Sequence, residues 1–148
     1  MIDVEFDVQA VQDALLGQAD TLRTALEARI QQKLSGEVLQ VHSGVLAASI
    51  ISSIEDNGED TSVSISSTGV PYAAIQEFCG KTAAHDIVAV KAKALAFSTG
   101  GDQVFARSVH HPGSTIPARS YLGSSLAEMH DEIESGFKEA ILEALGQG

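Results

Sequence analysis

The sequence predicts an α+β fold in which a small, mostly antiparallel sheet is flanked by a long N-terminal and a long C-terminal amphipathic helix. Two observations support this prediction. Apolar residues recur at helical spacing near each end of the chain, and the segment between them consists of short strand-like runs separated by turn residues. With 148 residues, the chain is expected to form a single domain that spans residues 1–148.

The N-terminal region predicts a short strand followed by the first long helix. Apolar and acidic residues alternate over residues 2–6, which is typical of a strand with one exposed face. Asp7 can cap a helix that runs to about Leu34, where Gly36 provides a stop. Gly17 interrupts this helix, either as a tolerated residue or as a point of close contact with another helix. The apolar stripe of the helix consists of Val8, Val11, Leu15, Ala19, Leu22, Leu26 and Ile30.

The next region predicts a short helix and a hairpin. Ser43 is expected to cap the short helix, because its hydroxyl can accept the free N–H groups of the first turn. Residues 50–55 and 61–66 are strand-like runs on either side of Asn57 and Gly58. An Asn-Gly pair supplies the positive φ angles that a tight turn requires, so the two runs are expected to pair as a hairpin.

The middle of the chain predicts one more short helix and three further strands. Pro71 suits the first turn of a helix over residues 72–78, which Gly80 is expected to end. Strand-like runs follow at 85–90, 94–98 and 103–109, with a turn at Gly100 and Gly101. The segment 110–118 contains two prolines and a glycine, and it is expected to form an extended, exposed loop.

The C-terminal region predicts a second long helix that Gly146 closes. Its apolar stripe consists of Leu122, Leu126, Met129, Ile133, Phe137, Ile141 and Leu145. Its opposite face is expected to be exposed and acidic, and it carries Glu128, Asp131, Glu132, Glu134, Glu139 and Glu143.

The net charge of −11 is distributed unevenly along the chain. Residues 78–120 contain five Lys or Arg against two Asp or Glu, and the rest of the chain contains four against eighteen. So acidic a chain is not expected to hold DNA tightly, since duplex binding depends on clustered cations. Lys91 and Lys93 lie two apart on a predicted strand and would share a face, with Arg107 opposite on the next strand. They form either a docking face for an acidic partner or a solvated strand edge.

The sequence contains no pattern that predicts catalysis, a metal or a cofactor. Cys79, His85, His110 and His111 lack the spacing that would place two metal ligands on one side, because adjacent residues of a strand point to opposite faces. The glycine pairs do not match a nucleotide-binding loop. The carboxylates lie on a turn and on an exposed helix face, where they lack the burial that acid–base catalysis requires.

No apolar run approaches the ~20 residues that span a bilayer. The acidic residues Asp3 and Glu5 occur where a secretory signal would be basic, and the lone Cys79 suits a reducing compartment. We therefore expect the protein to be made and kept in the cytoplasm, or in whatever assembles there, without a membrane partner.

Several segments, taken in order, resemble the tail-completion or head-tail joining proteins of long-tailed bacteriophages, a group that is also described as phage virion morphogenesis or minor tail component proteins. The resemblance covers about residues 43 to 126. The segments are Ser43-Gly44-x-Leu46-x-x-Ser49-Ile50, Tyr72-Ala73 with Glu77-Phe78, Lys91-Ala92-Lys93-Ala94-Leu95-Ala96-Phe97, Val104-Phe105-Ala106-Arg107, Val109-His110-His111-Pro112-Gly113 and Pro117-Ala118-Arg119-Ser120-Tyr121-Leu122. In this group a glycine commonly follows the Glu-aromatic pair directly, and here Cys79 precedes Gly80.

The resemblance implies a structural virion protein without catalysis or cofactor. It would form a homo-oligomeric ring in the neck, between the portal complex and the tail tube, with packaged DNA passing through the lumen without tight binding. Alternatives are a tail terminator that caps the tail tube and a small metal-dependent hydrolase that uses Cys79 and the histidines. The candidate assembly-interface residues are Lys91, Lys93, Arg107, Val109, His110, His111, Pro112, Gly113, Ile116, Arg119 and Tyr121.

Overall fold

A computed structural model describes residues 7–40 and 42–146 of the chain and confirms the α+β class. The strand predicted for residues 2–6 lies outside the described residues. Among those that are described, no helix combines the length and the apolar composition that crossing a bilayer requires.

Helix α1 spans Val8–Gln32 and is followed by a single π turn, Lys33–Glu37. The predicted cap is confirmed, because the Asp7 carboxylate accepts hydrogen bonds from the backbone N–H groups of Gln9 (2.9 Å) and Ala10 (3.2 Å). The predicted stop is confirmed as well: Gly36 has a φ of 127°, in a region that glycine adopts without strain.

The close contact between α1 and the C-terminal helix is not at Gly17, where an added Cβ would meet no atom within 4 Å. It is at Gly136, where a Cβ would collide with the side chain of Gln18. Gly17 is therefore a tolerated helix glycine, and Gly136 is the glycine at which α1 and the C-terminal helix lie close together.

Helix α2 spans Val45–Ala48, and strands β1 (Ile50–Asp56) and β2 (Thr61–Ser67) form the predicted antiparallel hairpin. The Asn57 side chain holds the turn by accepting from two backbone N–H groups on its far side. The predicted Ser43 cap is wrong. The N-cap of α2 is Gly44, with a φ of 71°, and its left-handed conformation leaves the Ser43 hydroxyl only a 3.5 Å contact with Val45 N.

The core lies between α1 and the hairpin. Helix α1 packs against β1, β2 and the two C-terminal helices. The C-terminal stripe does not form one helix as predicted, because the chain turns at Met129 and divides into α4 (Gly123–Glu128) and α5 (His130–Gly146). The buried cluster consists of Ile30, Leu34, Leu39, Ile50 and Tyr121, with Leu26, Val38, Leu46, Ala47, Ile65 and Leu122 packed around it.

Helix α3 (Ala73–Phe78) leads into six short strands, β3 (Gly80–Lys81), β4 (His85–Val88), β5 (Leu95–Thr99), β6 (Asp102–Ala106), β7 (Ser108–His111) and β8 (Thr115–Ile116). They pair antiparallel and in nested order, β3 with β8, β4 with β7 and β5 with β6, around a turn at Gly100 and Gly101. Residues 80–116 thus form one interrupted two-stranded ribbon, and the strands of the described chain make four separate pairs rather than one sheet.

Two sequence-based boundaries in this ribbon are wrong. The predicted strand 103–109 is broken at Arg107 into β6 and β7. The segment 110–118 is largely exposed but is not an irregular loop, since it contains the end of β7 and all of β8. Pro112 and Pro117 lie on either side of β8, so neither proline removes a hydrogen-bond donor from the ladder.

Candidate assembly surface

A buried carboxylate holds together the two ends of the ribbon, where it joins the rest of the domain. We call this part the ribbon root. Glu77, on α3, is only 6% exposed. Its Oε1 accepts from the Ser120 hydroxyl (2.6 Å) and from Gly123 N (2.9 Å), and its Oε2 accepts from Tyr121 N (2.8 Å) and Leu122 N (3.0 Å). We call this arrangement, formed by Glu77 with residues 120–123, the Glu77 clamp.

The clamp satisfies backbone N–H groups at the start of α4 that have no partner within the helix, and it places a negative charge at the helix N-terminus. Burial raises the pKa of the Glu77 carboxyl, but the hydrogen bonds from Ser120 and from the three backbone N–H groups outweigh burial and bring the pKa below its ordinary value of 4.5. Arg119 N also donates to Gln76 O (2.7 Å). The segments before and after the ribbon are thereby joined.

The clamp was not predicted from the sequence, although a signal for it exists. Ala73 and Glu77 lie four residues apart on α3, and both are buried. A carboxylate on the buried face of a short helix requires several donors, because an unpaired buried charge is very unfavourable. The sequence does not show where those donors come from, since they follow Glu77 by 43 to 46 residues.

The turn that leads from α3 into the ribbon is strained at Cys79. This residue has φ 73° and ψ 166°, and it is the only described non-glycine residue with positive φ. Helix α3 ends at Phe78, as predicted, with Cys79 as its C-cap, and Gly80 begins strand β3.

Replacing Cys79 by Gly is expected to raise the free energy of unfolding by about 1 kcal/mol. Relief of a strain of about 1–3 kcal/mol exceeds the additional backbone entropy that glycine has in the unfolded chain. Thermal unfolding of the two proteins measures the difference. Cys79→Ala is the matched control, because it removes the thiol and keeps the strain. Equal stabilisation by Ala and Gly would show that the backbone conformation is not the cause.

The ribbon has no core of its own. No residue of the segment 78–120, all of which the structure describes, is buried. Several large apolar side chains of the ribbon are highly exposed, including Val90 (90%), Phe105 (64%) and Val88 (56%). An isolated two-stranded ribbon is only marginally stable in water, and exposed apolar patches mark interaction sites. The ribbon is therefore the candidate assembly surface.

Lys91 and Lys93 are exposed as predicted, but they do not lie on a strand. They belong to an irregular bend between β4 and β5, opposite the break at Arg107, whose carbonyl accepts from Ala89 N (3.0 Å). The insertion of extra residues on one side of the ladder displaces both lysines from the pairing register. The cationic side chains of residues 78–120 form no ion pair with the described part of the chain. They are Lys81, Lys91, Lys93, Arg107 and Arg119.

The histidines lie on opposite faces of the β4–β7 ladder. His111 pairs with His85, and their rings stack with centroids 5.2 Å apart. On the other face, His110 Nδ1 lies 2.8 Å from a carboxylate oxygen of Asp86. The described residues contain no group of three or more His, Cys, Asp or Glu side chains that could hold a metal ion.

The remaining interface candidates fall into two groups. Half-buried Val109 and Ile116 pair with neighbouring strands, and exposed Pro112 and Arg119 face solvent at the ribbon root. Gly113, with a φ of 86°, is required there because a Cβ would collide with the carbonyl oxygen of Thr82.

Tyr121 does not belong with the interface candidates, because its side chain lies in the interior of the protein. It is 1% exposed and forms part of the core cluster, where burial raises the pKa of its phenol. The Glu77 clamp turns its backbone inward, so Tyr121 cannot contribute to an interface of this folded subunit.

No protein family model, curated protein or solved structure matches the chain.

The surface of the domain outside the ribbon is acidic, because most of its cations are internally paired. Glu128 binds both Arg29 (2.8 Å) and Lys33 (2.6 Å), and Glu37 also binds Arg29 (2.6 Å). Hydrogen bonds from Lys33 and Arg29 lower the pKa of Glu128, which is thus a link between α1 and α4 as well as part of the predicted acidic stripe. The exposed acidic residues of α5 include Asp131, Glu132, Glu134 and Glu139.

Proposed function

We propose that this protein is a structural, non-catalytic subunit that forms a ring in the neck or upper tail of a long-tailed bacteriophage, between the portal complex and the tail tube. The observation that carries the proposal is a basic ribbon without a core of its own, attached to a domain of opposite charge. The resemblance described above supplies the biological setting. In such a subunit, contacts with neighbouring subunits would supply the apolar packing that the ribbon lacks.

Each copy offers two unlike surfaces, the ribbon and the acidic domain. Contacts between unlike surfaces run head to tail, and they generate a closed ring when the rotation between copies closes on itself. Complementary charge sets the orientation and the rate of association. Burial of ribbon side chains such as Val90 and Phe105 supplies most of the affinity.

The charge distribution also suits a conduit for DNA. Outside residues 78–120, acidic side chains outnumber basic ones by eighteen to four. A lumen lined by such a surface would repel phosphates and let DNA pass without tight binding.

The proposal is tested by native mass spectrometry and sedimentation of the purified protein, alone and mixed with portal complexes or tail tubes. The expected result is a closed oligomer of defined size, or stoichiometric binding to one of these structures. A protein that stays monomeric at every salt concentration and binds neither structure would contradict the proposal. Location of the subunit on virions by negative stain separates a neck subunit from a tail terminator.

A further inference from the structure

Strand β2 has an outer edge with which no other described strand pairs. The pairs Asn57–Asp60 and Ser49–Thr68 are hydrogen bonded at the two ends of the β1–β2 ladder, with N···O distances of 3.2 and 3.1 Å. Hydrogen-bonded pairs alternate along an antiparallel ladder, so the even-numbered residues of β2 direct their backbone groups at β1. The odd-numbered residues direct theirs outward, and within residues 7–40 and 42–146 the sheet to which β2 belongs has only two strands.

An apolar groove of about 510 Å³ runs beside this edge. Val63 and Ile65 of β2 form one side of it, and residues of α1 and α4 form the other, including Leu126, which is 53% exposed. Residues 61–68 include no charged side chain and no proline. Proteins normally protect an exposed strand edge with such residues, so this edge is suited to accept another strand.

We propose that the β5–β6 half of the ribbon from a second copy of this chain adds to the outer edge of β2. This inference rests on the proposed function and specifies the contact between neighbouring subunits. The added strand would form backbone hydrogen bonds with Val63 and Ile65, and its apolar side chains would fill the groove.

Three observations favour a second copy as the occupant. Strands β5 and β6 have five residues each, and Phe97 lies with its cross-strand partner Val104 on one face of the pair, which matches the seven-residue edge and its apolar groove. The ribbon carries an excess of positive charge and the accepting domain an excess of negative charge. Each chain also has one ribbon and one such groove, so the contact repeats head to tail as a ring requires.

The test compares Val63→Pro with Val63→Ala in native mass spectrometry. Proline removes an outward-facing N–H without breaking the β1–β2 ladder, and alanine removes the same packing while it keeps the N–H. Relative to Val63→Ala, Val63→Pro is expected to weaken assembly at least about tenfold, because it eliminates an intersubunit hydrogen bond and obstructs strand approach. Circular dichroism establishes that both variants are folded.

Cysteine cross-linking keeps the inference testable even if Val63→Pro does not fold. In a Cys79→Ala background, Ser66→Cys on β2 is combined with Ser98→Cys on β5. Oxidation of the double variant is expected to give a ladder of covalent oligomers, and either single variant alone is expected to give none.

Three outcomes overturn the inference. If folded Val63→Pro assembles as well as Val63→Ala, or if Ser66→Cys alone gives dimers through β2–β2 pairing, the ribbon does not occupy this edge, although the ring proposal stands. A wild-type protein that stays monomeric and binds no portal or tail tube overturns both proposals together.

Discussion

Replacing Glu77 by Gln is expected to reduce the free energy of unfolding by about 3 kcal/mol and to lower Tm by about 10 °C. The substitution keeps the size of the side chain but removes its charge and turns one acceptor into a donor. In the position of Oε1 that donor would face Gly123 N, and in the position of Oε2 it would face Tyr121 N and Leu122 N. At least one backbone N–H group of the clamp then loses its acceptor and faces another donor.

The same variant should change the dependence of stability on pH. The pKa of Glu77 is lowered in the folded state, so its contribution is fully present above the unfolded value near 4.5 and is lost as the pH falls through the folded value. Between pH 7 and pH 3, the difference in stability between wild type and Glu77→Gln is therefore expected to shrink.

Glu139→Gln is the matched control, because Glu139 is an exposed carboxylate on α5 and its replacement should change stability by at most about 0.5 kcal/mol. Thermal and urea unfolding at both pH values provide the measurement. If Glu77→Gln were no less stable than Glu139→Gln, the clamp would not hold the ribbon root.

Reversing Lys91, Lys93 and Arg107 to Glu is expected to weaken assembly while the monomer remains folded. All three side chains are exposed and form no ion pair with the described residues, so they contribute little to the stability of the monomer. In the assembled state, however, the variant ribbon would present like charge to an acidic neighbour. Native mass spectrometry measures the assembly, and circular dichroism measures the fold.

A charge-swap mixture provides the control for this triple variant. A second variant with Glu132, Glu134 and Glu139 changed to Lys should fail to assemble with itself at low salt and should recover assembly when mixed with the triple variant. Normal ring formation by the triple variant alone would mean that the three cations are solvated and contact no neighbouring subunit.

Local patterns predicted much of the fold correctly. The Asp7 cap, the stop at Gly36 and the Asn57-Gly58 hairpin are set by residues close together in the chain, and the structure confirms all three. The error at Ser43 has a local cause too, but one that depends on the left-handed φ of Gly44, which spacing alone does not show.

The features that were not predicted from the sequence depend on contacts between residues that are far apart in the chain. Glu77 and Ser120 meet only because the ribbon returns the chain to its root, and this return also turns Tyr121 into the core. The bend that contains Lys91 and Lys93 arises from unequal chain lengths on the two sides of the ladder. Periodicity identified strands in the ribbon but could not show that they lack a core.

We propose that copies of this chain associate through unlike surfaces, a basic ribbon on one copy and an acidic domain on the next. An electron cryo-microscopy reconstruction of the assembled protein would show which surfaces are in contact. We expect a closed ring in which the ribbon of each subunit lies against the adjacent subunit. A symmetric dimer joined through identical surfaces, or a ring whose ribbons contact no neighbour, would overturn this proposal.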